Sequence, residues 1–337
     1  MTLLVAAVGL AVSSCAGGGE GAEGHTPTAT ASPEASPTSQ MRTDFDLPPW
    51  DEIVAMYEYD TSEPLDYQVL EEMDDKWMRQ QDMDPSSGTV YDVSYQSTGY
   101  TVPAWLVVPD GEGPFPAVIY AHGSTLDRDF HLPEAVGLAK DGYVGLSITG
   151  PENREPFAFI DTGFADIDLA GFVQMVTDLR RGIDLLASLP EVDASRLGFA
   201  GLSQGCWLGG ALSGLEDRID GYVLMSCGGY LTEDSGHGLS GETLTRYHDE
   251  TAVLNAVNYV SHAEGAAFLI QASRSDMPAE DVRALFDAAP EPKELWWYKP
   301  PATEIMGGHV LGCDIQSGCD PTLPAIAYHL EWLKENV

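Results

Sequence analysis

Six short, almost continuously apolar runs fix what this chain can fold into: Ala117 to Ala121, Tyr143 to Ile148, Arg196 to Ala200, Gly221 to Met225, Ala267 to Gln271 and Glu294 to Tyr298. A run of that length without polar alternation reads as a strand covered on both faces. Helical stripes fall between the runs. The clearest carries Ile167, Phe172, Val173, Val176, Leu179, Ile183 and Leu186, and the last carries Leu323, Ile326, Leu330 and Leu333. Strand, helix, strand in regular succession specifies an α/β fold, a mainly parallel doubly wound sheet with helices on both faces. Ahead of it, Val90 to Gln96 and Thr101 to Val108 alternate apolar and polar residues around Gly99, the pattern of an antiparallel hairpin. One large domain of this kind accommodates most of the 337 residues, and a 44% hydrophobic content suffices for its core.

The segment Gly201-Leu202-Ser203-Gln204-Gly205 stands where the run Arg196 to Ala200 ends and a helix rich in small residues, Gly209, Gly210 and Ala211, begins. Glycine on both flanks permits a sharp strand-to-helix turn that pushes the serine hydroxyl into solvent. G-x-S-x-G alone is a weak signal, equally readable as an ordinary Gly-rich turn. The entering strand and departing helix give it weight, and Ser203 is the candidate nucleophile.

Together with Pro116-Ala117-Val118-Ile119-Tyr120-Ala121-His122-Gly123, Leu132-Pro133-Glu134-Ala135 and Gly307-Gly308-His309, this turn resembles the α/β-hydrolase superfamily from Val90 onward. The branch it is similar to holds dienelactone hydrolases, acetyl xylan esterases and acyl-peptidase-type domains. The resemblance implies a triad in the chain order Ser, acid, His. His309 fits that order, whereas His237, His248 and His262 precede the expected acid and His329 sits inside the last helix. Asp276 is the first carboxylate after the run Ala267 to Gln271. The loop there is shorter than the family's, which leaves Asp281 and Glu280 as alternatives, although both read more naturally as helix N-terminal acids. The same resemblance implies two backbone oxyanion donors, the amides of Gln204 and Ser124, and no cofactor. His122 is read as a loop-shaping residue at its strand end.

A serine hydroxyl becomes a nucleophile when a neighbouring base takes its proton. The implied activity is therefore hydrolysis of carboxylic esters of a small or soluble substrate through an acyl-enzyme. Alternatives are an acyl-peptidase or peptidase-like amide hydrolase, and a catalytically silent binding module that keeps the fold. An interfacial lipase would carry a large apolar lid, whereas Gly229 to Gly265 is rich in Glu, Asp, His and Tyr and reads as a modest helical cap. His122, Asp127 and His131 form a rival metal constellation, but no third strong ligand lies beside the two histidines in helical spacing, so no metal site is expected.

Residues Leu3 to Val12 are apolar and end in Val12-Ser13-Ser14-Cys15, followed by small residues. Ten residues are too few to span a bilayer, which takes about 20. The segment resembles the lipobox of prokaryotic lipoproteins, which implies cleavage before Cys15 and a lipid on that cysteine, although no Lys or Arg precedes the apolar run. From Ala16 to Gln40 no aromatic or branched aliphatic side chain occurs, as in a flexible tether. The expected organisation is a signal peptide over 1–14, the anchor cysteine and linker over 15–41, an N-terminal extension packed on the core over 42–89, and a catalytic domain over 90–337. The expected location is the outer face of the cell membrane, or outside the cell if the cysteine is not lipidated.

Two further features bound the chemistry. With 53 Asp and Glu against 16 Lys and Arg, the net charge is −37, which repels phosphate backbones and excludes nucleic acid as a partner. A surface so rich in carboxylates suits high ionic strength, where screening relieves self-repulsion; a merely acidic secreted protein is the plainer reading. Of the remaining cysteines, Cys313 and Cys319 sit six apart in a Gly- and Asp-rich loop, close enough for a disulfide in an oxidising compartment. Cys206 and Cys227, in apolar surroundings at element ends, read as buried free thiols.

Overall fold

In the computed structural model, which describes residues 42–154, 162–230, 238–300, 308–313 and 317–337, nine strands form one sheet. They are β1 (Gln68–Glu72), β2 (Thr89–Ser97), β3 (Tyr100–Val108), β4 (Phe115–Ala121), β5 (Val144–Ile148), β6 (Val192–Leu202), β7 (Gly221–Met225), β8 (Ala267–Ser273) and β9 (Lys293–Tyr298). The sheet order is β1-β2-β3-β5-β4-β6-β7-β8-β9. Antiparallel pairing runs from β1 through β2 and β3 to β5, and every pair beyond is parallel. The six apolar runs become β4 to β9, and the alternating pair becomes the hairpin β2–β3, paired in register from Thr89↔Val108 to Ser97↔Tyr100.

Helices cover both faces. On one side α4 (Ala165–Ser188), α5 (Gln204–Ser213), α7 (Val257–Val260) and α8 (Ala279–Ala288) pack on Ile119, Phe199, Tyr222, Leu224 and Phe268. On the other, α3 (Leu132–Ala139) and α9 (Pro324–Asn336) pack on Val118, Tyr120, Ala200, Val223 and Leu269. Adjacent strand residues thus feed opposite cores, which is why the central strands carry no polar alternation. Each fully buried Leu, Ile or Phe contributes on the order of 2 kcal/mol of hydrophobic stabilisation.

Residues 42–89 hold an element that the sequence did not suggest. β1 adds an edge strand to β2, yet all five of its residues are exposed, so it carries no apolar pattern to read. The same segment contains α1 (Trp50–Ala55) and α2 (Asp75–Gln80). Trp50 stacks on His262 at 3.7 Å, the Tyr57 and Tyr259 hydroxyls lie 2.8 Å apart in the core, and Arg181 Nη2 donates to the Glu63 carbonyl at 2.7 Å.

The cysteines require a correction. Cys206 and Cys227 are bonded to each other, with Cα atoms 5.9 Å apart, and are not free thiols. Their 21-residue separation conceals that the start of α5 lies against the end of β7, where the Ser203 N–H also donates to the Met225 carbonyl. Cys313 and Cys319 are also joined, at a Cα separation of 4.5 Å. Cys15, the apolar run before it and the linker lie outside the described residues.

Candidate active site

Parallel strands converge their C-terminal ends on one edge of the sheet, and the candidate residues gather there. Ser203 occupies the turn between β6 and α5 with φ 55° and ψ −111°, a left-handed conformation that costs a non-glycine residue on the order of 1 kcal/mol. The Ser203 N–H donates to the Met225 carbonyl at 2.7 Å and holds the turn in place. A Cβ on Gly205 would collide with the Ala121 carbonyl, and one on Gly201 with the Gly205 carbonyl, so both flanking glycines are needed for close backbone approach.

His309 Nε2 lies 2.9 Å from Ser203 Oγ, and His309 Nδ1 lies 2.7 Å from Asp276 Oδ2. An ionised carboxylate can only accept, so Nδ1 carries the proton and Nε2 is left as the acceptor of the serine hydroxyl. Asp276 is presented by the turn after β8, where its own N–H and that of Met277 both donate to the Ser273 carbonyl, at 3.2 and 2.9 Å. The other two acids stand elsewhere. Asp281 is buried at the start of α8, where its Oδ1 accepts from the Gly229 and Tyr230 amides at 2.9 and 3.1 Å. Burial pushes its carboxyl up to about 6. Glu280 is the other acid of that first helical turn.

The two expected oxyanion donors flank the serine. Gln204 opens α5, so its N–H has no carbonyl one turn earlier to bond. Ser124 is exposed in the turn closed by the Leu126 N–H donating to the Gly123 carbonyl at 3.2 Å. A Cβ on Gly123 would stand 3.4 Å from Ser203 Cβ, which places this turn directly against the serine.

His122 shapes that turn. Its Nε2 accepts from the Gly150 N–H at 2.9 Å, so the ring proton is on Nδ1 and donates to the Gly123 carbonyl at 2.8 Å. Burial holds the imidazole down to about 4. Both nitrogens are thereby engaged, and the trio His122, Asp127 and His131 does not converge as a metal site. Among the described residues the one grouping of metal-ligand types is His131, Glu134 and Cys319, and Cys319 is committed to its disulfide. There Glu134, fully buried between His131 Nδ1 at 2.9 Å and His329 Nε2 at 2.8 Å, is held down to about 2 by the two imidazoles against the opposing effect of burial.

Sequence reasoning missed one acid at this end of the sheet. Glu152, in the short turn after β5, buries its carboxyl and accepts from Gln204 Nε2 at 3.0 Å. Burial pushes the group up to about 7. The only local signal is Gly150-Pro151 directly before it, a turn at a strand end. The segment between β7 and β8 carries α6 (Gly241–Thr251), whose Tyr247 hydroxyl donates to Asp168 Oδ2 on α4 at 2.8 Å.

Residues 66–231 match the family model "Acetyl xylan esterase (AXE1)". Among solved structures the chain is similar to the acetyl xylan esterase from Paenibacillus sp. R4, with 22% identity, a TM-score of 0.63, and coverage of 84% of this chain and 92% of that one. It is also similar to acetyl xylan esterase 1 from Thermoanaerobacterium sp. JW/SL YS485, at 18% identity and TM-score 0.60 over 77% and 89% of the two chains. A cold-adapted esterase from an Arctic intertidal metagenomic library follows, at 17% identity and TM-score 0.55 over 74% and 95%. The chain has the α/β-hydrolase fold and is a hydrolase acting on ester bonds, with residues 66–231 similar to the acetyl xylan esterase (AXE1) model.

Proposed function

We propose that the enzyme cleaves carboxylic esters of small or soluble substrates, with acetyl as the acyl group, through a covalent acyl-enzyme on Ser203. One observation carries the reading: a single imidazole, His309, spans Ser203 Oγ and Asp276 Oδ2 at 2.9 and 2.7 Å. The choice of acetyl rests on the family match.

In this reading Ser203 Oγ attacks the ester carbonyl carbon while His309 Nε2 takes the hydroxyl proton. Asp276 holds the imidazole in the required tautomer and stabilises the imidazolium that forms. Negative charge collects on the former carbonyl oxygen, where the Gln204 and Ser124 amides accept it. A preorganised donor of this type is worth about 3 kcal/mol of barrier. The carbon–oxygen bond to the alcohol breaks, and His309 returns its proton to the departing alkoxide. Water, deprotonated by the same imidazole, then attacks the acyl carbon and frees Ser203 and the acid.

The test is a fluorophosphonate probe together with acetyl esters. One equivalent of probe should attach, and Ser203→Ala should abolish both labelling and turnover while the fold persists. Labelling that survives this change would overturn the reading.

The same proposal places the enzyme on the outer face of the cell membrane through a lipid on Cys15, supported by the apolar run, the small residues around Cys15 and the tether behind it. Expressed in a bacterium, the full chain should partition with membranes and incorporate labelled palmitate, and Cys15→Ala should lose both. Unchanged partitioning of that variant would refute the anchor.

A further inference from the structure

We propose that Glu152 is a positioning residue for the oxyanion cradle, holding the Gln204 and His122 sides of it together in its neutral form and weakening the cradle when it ionises. The inference rests on the reading of Ser203 as nucleophile and adds a group that the proton relay itself does not contain.

The geometry is a buried carboxyl group that is hydrogen-bonded on the Gln204 side and packed, without a hydrogen bond, on the His122 side. Glu152 Oε1 accepts from Gln204 Nε2 at 3.0 Å and lies 3.8 Å from His122 Nδ1, and the side chain is fully shielded from solvent. Gln204 supplies one cradle amide, and His122 shapes the turn that carries the other. The neighbouring residues tie the same two sides: the Gly150 N–H donates to His122 Nε2, and Asn153 Nδ2 donates to the Leu126 carbonyl, which closes the Ser124 turn. The carboxyl group folds back over Gly150, with Oε2 against the place where a Cβ of that residue would stand.

Below this carboxyl group lies a cavity lined by Glu152, Gln204, His122, Met175, Leu179 and Leu208. Glu152 Oε2 and Gln204 Oε1 are both buried and have no hydrogen-bond partner among the described residues. Protonated on Oε2, Glu152 gains a donor where a carboxylate has none, which suits a carboxyl group buried beside an unpartnered amide oxygen of the same cavity. The groups that face it are few. Gln204 comes from α5, His122, neutral by its hydrogen bonds, from the end of β4, and Met175 and Asp178 from α4. Arg154, one turn on, pairs with Asp178. Burial holds the group up to about 7, against the Glu152 backbone N–H, the Gln204 side chain and Arg154, which all favour the ionised form, and with Asp178, which opposes it.

Ionisation therefore falls within the working range of an esterase. A carboxylate held against the Gln204 side chain opposes the negative charge that the Gln204 backbone N–H must stabilise, in a region where water screens little. Losing part of one cradle donor lowers the rate by about tenfold, against the 10²–10³ for losing it whole.

The experiment is the pH profile of kcat/KM for phenyl acetate between pH 5 and 9.5, measured for the wild type, Glu152→Gln, Glu152→Ala and Gln204→Met. The wild type should lose about tenfold on a descending limb centred about pH 7. Glu152→Gln, which keeps the hydrogen bond without the titration, should abolish that limb and retain the rate seen below it. Glu152→Ala should lower kcat by about tenfold at every pH with KM little changed, the mark of a lost transition-state contact. Gln204→Met keeps the cradle amide but removes the hydrogen bond that favours the carboxylate, so its limb should move to higher pH. A wild-type profile without the limb, or a limb at the same pH in the wild type and in the folded variants, overturns the proposal. Failure of the Ser203 reading shows separately, as probe labelling of Ser203→Ala.

Discussion

Cys206 and Cys227 join the third residue after Ser203 to the loop two residues beyond Met225, whose carbonyl accepts the Ser203 N–H at 2.7 Å. The strained serine turn is thus fastened to β7 twice, by a backbone hydrogen bond and by a covalent link. A cross-link that closes a loop of this length stabilises by about 3 kcal/mol, chiefly through the unfolded chain. The paired substitution Cys206→Ala with Cys227→Ala should lower the melting temperature by roughly 5–10 °C. Calorimetry checks it, and an unchanged melting temperature would show that the link contributes no net stability.

The acid of the triad is testable by contrast. Asp276→Asn leaves the imidazole in the wrong tautomer and should cost about 10⁴ in kcat, the size of loss seen for the equivalent change in serine proteases. Asp281→Asn disturbs the Gly229 and Tyr230 amides, which donate to Asp281, and should change kcat by less than about tenfold. Steady-state kinetics on an acetyl ester reads both, and the reverse ranking would move the assignment to Asp281.

How far the sequence revealed this site depends on the kind of information each part needs. The elbow was legible because its cause is local: glycines at 201 and 205, a strand before and a helix after. Strands β4 to β8 were legible because their apolar runs are buried on both faces, and the half-buried edge strand β9 because Leu295, Trp296, Trp297 and Tyr298 continue the same pattern. β1 was not, since an exposed edge strand leaves no periodic trace. The choice between Asp276 and Asp281 turns on which way a five-residue stretch of loop faces, and only the His309 contact decides it. The Cys206–Cys227 bond and the Glu152–Gln204 bridge join residues 21 and 52 apart, and such proximity belongs to the strand order, which no local pattern encodes.

Stability should peak on the acid side of neutrality. Glu152 and Asp281 are raised to about 7 and about 6 in the fold, above their unfolded values, so the folded state binds more protons in that interval. Their stabilising neutral forms are fully present below pH ~4.5 and are lost as pH rises through 6 to 7, Glu152 alone costing about 3 kcal/mol by pH 8. Glu134 and His122 act in the opposite direction: lowered to about 2 and about 4, they contribute stability that is lost as pH falls from ~4.5 toward 2 and from ~6.5 toward 4, so His122 offsets part of the alkaline decline. Melting temperatures between pH 3 and 9 should therefore be highest near pH 4.5 to 5 and decline on both sides. Glu152→Gln should flatten the alkaline decline, and a wild-type maximum above pH 8 would contradict the assignment of these buried acids.

Salt should stabilise this enzyme. A net charge of −37, set against only 16 basic side chains, makes self-repulsion the dominant long-range electrostatic force on the folded chain. Several of the basic groups are already committed at short range, Arg128 to Asp92, Arg218 to Asp184 and Glu216, and Lys334 to Asp141 and Glu331, so the surplus carboxylates are left to repel one another. At 0.01 M ionic strength the Debye length is about 30 Å and charges across a whole face interact, whereas at 1 M it is about 3 Å and only touching pairs do. Exposed ion pairs lose little on screening, because each contributes at most about 1 kcal/mol at the outset. The repulsion being removed is the larger quantity, and the chain from Met41 onward should gain melting temperature and activity between those two limits. Sodium chloride and potassium chloride should act alike, since screening depends on ionic strength and not on a cation site. A melting temperature that stays flat or falls as salt rises would refute salt adaptation while leaving the chemistry proposed for Ser203, His309 and Asp276 untouched.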